Sequence, residues 1–469
     1  MGSAELAWTR DAAAADPAAP ALPRRTITPA DEDLVPRDRP TLDDVADAAV
    51  LSSVETAPLR PTVETTLTDQ RILVVGINFA PEVTGIGPYT ADLCDALVGV
   101  GAKVEVVTGQ PHYPHWRRFH SGDDHRSGDV RVRRVQHYVP SRQDALRRAL
   151  YELSFWTTSR LEMRGMTADA VVAVSPSLGA VPAAAAFARR RGIPLGVIVQ
   201  DLVGLGATQS GIPGGRRIGR SVSAFERHYL AKADRVGVVS QAFVEPLTQN
   251  GIMRDRIALV PNYVHIRPTT LTKAEARRAL GWRQDAFIAS HTGNMGFKQD
   301  LGNVVATARL AASAVPSLTF KMIGDGATRA ELQRAADGLP NLDILPPVSD
   351  RTYPLVLAAS DVLIVNERGS VEGMCLPSKL TSYMSAGRPV VGACNEHGAT
   401  AAMIRESDAG MVVPAAQPSA LLTALVTLLR HPELAAAHSE AAQRWAQVQL
   451  RQEHGRQRLL TFVDGLLPR

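Results

Sequence analysis

Short apolar segments alternate with helical patterns over most of this chain, and that alternation is what most restricts its fold. Twelve segments occur, six on either side of a predicted hinge near residues 262–270. They lie at 71–78, 103–109, 130–139, 170–175, 195–201 and 235–240, and then at 287–293, 318–326, 341–348, 361–366, 389–393 and 410–414. Continuous apolar strands separated by helices indicate parallel sheets covered on both faces. We therefore expect an α/β protein with two tandem doubly wound Rossmann-like domains that face a central cleft.

The domain boundaries are predicted from the same pattern and from composition. Residues 1–69 are rich in Ala, Pro, Thr and Asp and have no sustained periodicity, which predicts a disordered extension. The first domain is expected at 70–266 and the second at 267–445. An amphipathic stretch near the end predicts a helix at 446–469 that crosses back to the first domain.

The charge is distributed unevenly. The net charge is +4, but residues 1–69 contain 13 Asp and Glu and only 6 Arg, so the remainder carries +11. A basic body attracts nucleic acid, an anionic membrane or phosphorylated substrates, and charge alone does not choose between them. No uncharged apolar run is long enough for a membrane span, no secretory signal is recognisable, and three scattered cysteines fit a reducing compartment. The expected location is the cytoplasm.

The stretch at 371–391 has the features of an anion site. Pro377, Ser378 and Lys379 open a predicted helix, and Gly387 follows it in a position that favours a left-handed stop. Free N–H groups at a helix start carry partial positive charge, so a neighbouring lysine suits a phosphate or diphosphate. An ordinary capped helix with a solvated lysine is the alternative.

A second strand-to-helix loop resembles the first in character. It runs from Gly293 to Lys298 and lets the lysine reach an anion in the cleft. The chain has 45 Arg but only 6 Lys, and Lys298 and Lys379 occupy these two loops. A lysine, with its compact ammonium, in both loops indicates a phosphate site. The alternative is that two of the six lysines fall in these loops by chance.

A glycine loop follows the first strand. Gly85 and Gly87 come close to a dinucleotide fingerprint, but the third glycine is missing and Thr108-Gly109-Gln110 stands where an acidic residue would follow the second strand. The pattern predicts a loop that lets backbone approach a ligand. A plain tight turn is the alternative.

An ordered series of motifs carries a family resemblance. The series comprises PEVTGIGPYT, SQAFVEPLTQNG, IALVPNYV, TGNMGFKQ, IGDGATRAELQ and PSKLTSYMSAGRPVV. Over about residues 71–465 the chain resembles the family-four retaining glycosyltransferases of GT-B fold, within their colanic-acid and capsule branch. The resemblance implies a nucleoside diphosphate sugar as co-substrate, and neither a cofactor nor a nucleic-acid partner is expected. No metal is expected either, because no His, Cys and Asp cluster has metal spacing and the lysines with a helix start can neutralise a diphosphate.

The resemblance also assigns roles to individual residues of a second domain that binds the donor. Lys298 matches the family's phosphate lysine, and Asn294 stands where its arginine partner is usual. The remaining matches are Ser378 with Lys379 facing the diphosphate, Gly85 with Gly87 closing over the phosphates, and Pro347 with Val348 meeting the base.

Two departures from the family pattern concern the donor sugar and the first domain. Paired glutamates are usual near the helix before Gly387, but alignment puts Met374 and Ser382 there, with Ser382 at the ribose-binding position. Glu372 lies nearby and is assigned to the donor sugar. Relatives often have a histidine where this chain has Ser175.

Polar residues of the first domain are predicted to face the acceptor. His112 and His115 follow the second strand, and Asp201 ends the fifth, where it would orient an acceptor hydroxyl. A packed surface loop and a structural carboxylate are the alternatives. The helix predicted at 142–161 puts leucines on one face and is either a contact for an anionic membrane or a core helix.

The sequence therefore predicts a retaining, metal-independent glycosyltransferase. It would move a sugar from a nucleoside diphosphate to a saccharide, carried on a lipid such as polyprenyl diphosphate, in cell-surface polysaccharide synthesis. The enzyme would be cytoplasmic and peripheral to the membrane. A sugar-nucleotide epimerase and an inactive nucleotide-binding scaffold are the alternatives.

Overall fold

The computed structural model describes residues 66–468, with gaps at 83–84, 114–115, 120–129, 142–144, 203, 205–214, 265, 267 and 372–377. The predicted disordered extension at 1–69 therefore lies almost wholly outside the described residues, as do His115, Glu372 and Met374.

The first sheet has seven parallel strands. They are β1 (Arg71–Val75), β2 (Lys103–Gly109), β3 (Val130–Val135), β4 (Ala170–Ser175), β5 (Leu195–Val199), β6 (Arg235–Val238) and β7 (Ile257–Leu259). Their spatial order is β3-β2-β1-β4-β5-β6-β7. The α-helices described between them are α1 (Gly87–Gly99), α2 (Ala145–Glu162), α3 (Ala180–Arg191), α4 (Gly215–Leu230) and α5 (Val244–Gln249).

The second sheet has six parallel strands. They are β8 (Phe287–Thr292), β9 (Leu318–Ile323), β10 (Leu342–Leu345), β11 (Val362–Asn366), β12 (Val390–Cys394) and β13 (Gly410–Pro414), in the order β10-β9-β8-β11-β12-β13. Its helices are α6 (Lys273–Ala279), α7 (Gly302–Ala314), α8 (Arg329–Ala335), α9 (Tyr353–Ala359), α10 (Ser378–Ser385), α11 (Ala399–Ser407) and α12 (Pro418–Arg430). Two further helices end the chain, α13 (Pro432–Gln449) and α14 (Gln452–Asp464).

Both sheets reverse their strand order at an equivalent place. The reversal lies between β1 and β4 in the first sheet and between β8 and β11 in the second. Such switch points open a crevice at the carboxyl ends of the strands, where ligands of open α/β sheets bind. The prediction of two doubly wound parallel-sheet domains is confirmed.

Two differences from the sequence prediction concern whole elements rather than their ends. Strand β7 was not predicted, because three residues are too short to establish a periodic pattern. The terminal helix predicted at 446–469 falls on two helices, the end of α13 and the whole of α14, with a break at Leu450 and Arg451. The predicted helix start at Ser378 and the left-handed Gly387, with φ of 60°, are confirmed.

The last helix packs against the first sheet rather than the second. Phe462 and Leu466 lie directly over Gly196 of β5, where an added Cβ would come within 2.7 Å of Leu466. The side chains of α14 join the same buried cluster as β1 and β2. Glycine in the strand thus gives the terminal helix the close approach that ties it to the first domain.

None of the helices described is by itself long and apolar enough to cross a membrane. The consecutive segments Pro418–Arg430 and Pro432–Asp464, bent by 99° to each other, meet that test together by length and composition.

Candidate functional site

A pair of glycine turns opens the switch point of the second sheet. Gly293 follows β8 with φ of 100°, a conformation that favours glycine. Gly324 follows β9, and an added Cβ there would lie 1.9 Å from the carbonyl oxygen of Gly293. The two turns therefore pack backbone against backbone at the carboxyl end of β8, and the region in front of them is called the recess below.

Lys379 enters this recess from the first turn of α10. Its Nζ lies 3.1 Å from Nε2 of the buried His291. Its Cε lies 3.7 Å from the position that a Cβ on Gly293 would take. Burial lowers the pKa of Lys379 to about 7, and the nearby carboxylate of Glu367 opposes that shift. The ammonium is thus poised between its charged and neutral forms near neutral pH.

The protonation of His291 follows from its two neighbours. Nδ1 lies 3.2 Å from the carbonyl oxygen of Ile364, an acceptor, so we assign the proton to Nδ1. Nε2 then accepts a hydrogen bond from Lys379. Burial, and secondly the charge of Lys379, hold the pKa of His291 well below its usual range, so the ring is neutral.

Glu367 is a site residue that the sequence analysis missed. It directly follows β11, its backbone N–H donates to Ala393, and its side chain is buried. Burial raises the pKa of Glu367, while Thr400, Lys379 and Lys298 lower it. Both lysines therefore lie within electrostatic reach of one carboxylate, which brings the two predicted phosphate loops together. The sequence signal was a carboxylate at the carboxyl end of an apolar strand.

The loop that carries Lys298 is held in place by the loop that follows β9. The backbone N–H of Met295 donates to Asp325 at 2.7 Å, and the hydroxyl of Thr328 donates to the carbonyl of Met295 at 2.7 Å. Lys298 and Asn294 are exposed on this loop. The backbone is fixed while both side chains stay free to meet a ligand.

Asp201 approaches the same region from the first domain. It lies just beyond β5, and burial raises its pKa to about 6, an effect opposed by the charge of Lys298. A second contact joins the two domains, since Tyr89 of α1 interacts with Thr381 of α10. The starts of α1 and α10 therefore face each other.

The predicted glycine loop is stabilised by a buried carboxylate. Gly85 has φ of 71°, and the ring of Tyr113 lies 3.0 Å from the position that its Cβ would take. Gly87 begins α1, where a Cβ would come within 2.8 Å of the carbonyl of Glu82. Glu82 accepts hydrogen bonds from the N–H groups of His112 and Tyr113 at 2.8 and 2.9 Å. Glu82, also missed from sequence, thus joins two loops of the first domain.

The structure corrects the acceptor-side assignment of His112. Its ring is fully buried, with Nδ1 2.8 Å from the carbonyl of Gln110 and Nε2 2.9 Å from the hydroxyl of Tyr151. Rings of Trp116 and His137 surround it at centroid distances of 5.6 and 5.1 Å. His112 therefore supports its loop from behind. His115 lies outside the described residues.

The other predicted donor residues differ in exposure. Ser378 is exposed at the start of α10, and Pro347 and Val348 follow β10 with Pro347 exposed. Ser382 is buried and bonds to Tyr353, so its side chain does not line the recess. The ribose-binding role assigned to Ser382 is therefore not supported by its placement. Glu372 lies outside the described residues.

The described part of the chain contains no group of three His, Cys, Asp or Glu side chains with the proximity of a metal site. Positive charge in the recess comes from Lys379 and Lys298 and from the start of α10. The fold and this recess together define a two-domain α/β protein suited to holding an anion between its domains.

Comparisons with known proteins agree with that class. Residues 84–263 match the glycosyl transferase 4-like domain, and residues 289–431 match the glycosyl transferases group 1. Over 415 residues the chain is 29% identical to the putative colanic acid biosynthesis glycosyl transferase WcaI of Escherichia coli K12, which covers 84% of this chain and 100% of that protein.

Solved structures share the fold. Sucrose-phosphate synthase from Thermosynechococcus elongatus superposes with a TM-score of 0.68 at 16% identity, over 85% of this chain and 99% of that one. Anabaena HepE in complex with UDP gives a TM-score of 0.61 at 16% identity, over 84% and 100%. The chain belongs to the family-four glycosyltransferases and has the GT-B fold, as the motif series predicted.

Proposed function

We propose that this glycosyltransferase moves a sugar from a nucleoside diphosphate sugar to a lipid-linked saccharide, with retention of anomeric configuration, in cell-surface polysaccharide synthesis. One observation carries the donor assignment: Lys379 and Lys298 both act on Glu367 at the switch point of the second sheet. Two cations beside an open glycine turn suit a diphosphate. The name of the WcaI relative supports a polysaccharide product.

The two lysines supply the main catalytic effect in this proposal. As the glycosidic bond to the donor breaks, negative charge grows on the departing diphosphate. The ammonium groups of Lys298 and Lys379 and the free N–H groups at the start of α10 are already aimed at that place. Preorganised positive charge stabilises the transition state more than the ground state, which accelerates bond breaking.

Asp201 is the proposed partner of the acceptor. Its pKa of about 6 makes it a carboxylate at neutral pH, and it lies across the cleft within electrostatic reach of Lys298. The carboxylate would accept a hydrogen bond from the acceptor hydroxyl and aim its oxygen at the sugar carbon. In a retaining front-face route, a departing phosphate oxygen takes the hydroxyl proton while the new glycosidic bond forms.

The reaction is proposed to need neither a cofactor nor a divalent ion. The lysines and helix start provide the charge that a metal would otherwise supply. An excess of EDTA should leave the transfer rate nearly unchanged. Complete loss of activity that magnesium or manganese restores would disprove this part of the proposal.

The base of the donor is tested first by thermal shift with UDP, GDP and ADP. Stabilisation grows with the ratio of ligand concentration to dissociation constant, so the preferred base gives the largest rise in Tm. The matching nucleotide sugars are then incubated with and without membrane-extracted lipid-linked saccharides. Release of nucleoside diphosphate and a new α- or β-linked product identify transfer and its stereochemistry. An epimerised donor without release, or no change at all, would contradict transfer.

A further inference from the structure

Helix α2 turns a row of leucines away from the protein. Leu146, Leu150, Leu153 and Leu161 are 72%, 46%, 54% and 49% exposed. Their spacing puts them on one face of the helix, opposite the buried Phe155. The exposed parts of these side chains gain nothing from folding in water, which makes the row a candidate contact surface.

A groove of about 290 Å³ opens beside the far end of this row. It lies between the last turns of α2 and α3, and Trp156 and Phe187 provide its apolar surface. Four arginines line the same groove: Arg160, Arg164, Arg190 and Arg191. All four side chains are exposed at its rim.

Two of the four arginines of the groove pack on its aromatic rings. Arg160 lies 5.1 Å from the ring centre of Trp156, and Arg191 lies 5.9 Å from that of Phe187. Arg191 also donates to the carbonyl of Arg164 at 3.4 Å. Over the described residues, no carboxylate lies within ion-pair distance of any of the four. A bound anion would therefore lower the repulsion among these like charges.

The chemistry of the groove suits a phosphate attached to an apolar body. Guanidinium groups bind phosphate oxygens through paired N–H donors, and two of these groups are oriented by stacking on aromatic rings. The Trp156 and Phe187 rings would then contact the apolar part next to the phosphate. A lipid headgroup meets both requirements together, because its phosphate stands immediately above acyl chains.

We propose that the groove between α2 and α3 binds the phosphate of an acidic membrane phospholipid while the leucine row enters the same leaflet. The 18 residues of α2 span about 27 Å. The helix starts after β3, at the edge of the first sheet where the cleft lies, and ends before β4 at the opposite edge. Binding along its whole length would lay the side of the first domain on the membrane.

This orientation brings the rim of the cleft next to the leaflet that carries a lipid-linked acceptor. The link between membrane binding and access to the acceptor therefore rests on the proposed function, but membrane binding itself does not. The competing occupant is the acidic segment of this chain at 1–69, with its 13 carboxylates. A membrane is favoured because it satisfies the leucines and the arginines at one surface.

The test uses the full chain and the fluorescence of Trp156 as a local probe. Vesicles of phosphatidylcholine are compared with vesicles that also contain phosphatidylglycerol brominated on its acyl chains, which quenches tryptophan at close range. We expect binding and quenching with the acidic vesicles, reduced by high salt. Trp156→Phe should bind equally but lose most of the quenching. Binding that leaves Trp156 unquenched places the contact elsewhere and overturns the proposal.

Charge variants test the groove directly. Each arginine near an anionic surface contributes about fivefold to partitioning, so Arg160→Gln with Arg190→Gln should weaken binding by about 30-fold. The matched control is Arg278→Gln with Arg334→Gln, which removes two exposed arginines from the second domain. Equal loss in both pairs would mean that only net charge matters and would reject the groove.

Leucine variants test the apolar contact, and activity and Tm measurements distinguish a loss of membrane binding from a loss of enzyme function. Leu150→Ser with Leu153→Ser should also weaken vesicle binding, since both side chains are proposed to leave water. The arginine and leucine variants should keep the donor hydrolysis rate and Tm of the parent, because every side chain replaced in them is exposed. Loss of vesicle binding with normal hydrolysis supports the membrane site alone. Absence of sugar transfer by the parent would contradict the proposed function without affecting the vesicle result.

Discussion

The ammonium of Lys379 lies 3.1 Å from Nε2 of His291, although the two residues are 88 positions apart in the chain. The neutral ring accepts a hydrogen bond from the ammonium, and the carbonyl of Ile364 fixes the orientation of the ring. Burial acts against the charge while Glu367 supports it, so the pKa of Lys379 is about 7. A donor diphosphate would restore the full charge when it binds.

The first prediction concerns the pH dependence of donor use. Above pH 7 the free enzyme loses the proton of Lys379, and a neutral amine attracts a diphosphate less strongly. Because kcat/KM reports ionisations of free enzyme, it should fall about tenfold per pH unit above that pKa. The measurement is kcat/KM for donor hydrolysis between about pH 6 and pH 9. Lys379→Arg, whose guanidinium stays charged, should be less active but lack this decline.

A second prediction isolates the influence of Glu367. Its negative charge raises the pKa of Lys379, so Glu367→Gln should lower that pKa further. The decline of kcat/KM should then begin at a lower pH. One pKa unit corresponds to about a tenfold loss at pH 8, with a smaller effect at pH 6. Glu331→Gln, on the exposed face of α8, is the control, and an equal loss at both pH values would speak against this electrostatic role.

The parts of this site that were predictable are those encoded by local sequence. Lys298 and Lys379 each lie in a loop between an apolar strand and a helix, and parallel strands bring such loops to one edge of a sheet. The left-handed conformation of Gly387 was also predictable, because the helical sequence pattern stops there and a glycine commonly ends a helix in that conformation.

The parts that were missed depend on contacts between distant segments. His291 lies inside an apolar strand, and nothing near it in the sequence indicates that it contacts Lys379. Glu82 bonds to loop N–H groups 30 and 31 residues later. The error at His112 has the same origin, because the ring is covered by Tyr151, which is 39 residues away.

A third prediction tests how the terminal helix is held. Gly455 of α14 lies against Tyr263, and an added Cβ would come 1.8 Å from that ring. Gly455→Ala should lower the free energy of unfolding by about 1 to 3 kcal/mol, the usual cost of overpacking. Urea unfolding measures this change. The control is Gly99→Ala at the end of α1, where an added Cβ would meet no described atom within 4 Å beyond its neighbours in the helix, and stability there should change little.

The last prediction concerns the two lysines, which stand on separate loops and both lie near Glu367. A hydrogen bond to a charged group contributes roughly 1.5 to 3 kcal/mol, which corresponds to about 10- to 150-fold in rate. Lys298→Ala and Lys379→Ala should each lower kcat/KM by that factor. Because both are proposed to act on one diphosphate, the double variant should depart from additivity. Lys298→Arg should recover only part of the loss, since a planar guanidinium replaces a compact ammonium.

The control for these lysine variants is Lys103→Ala. Lys103 is exposed at the start of β2, on the sheet edge away from the cleft, where it pairs with Asp69. Its removal also takes one positive charge from the protein, so the net charge changes by the same amount as in the other two variants. Normal activity in Lys103→Ala with large losses in the other two would assign the effect to local contact with phosphate. Near-full activity of both Lys298→Ala and Lys379→Ala with every accepted donor would place the phosphate site elsewhere in the cleft.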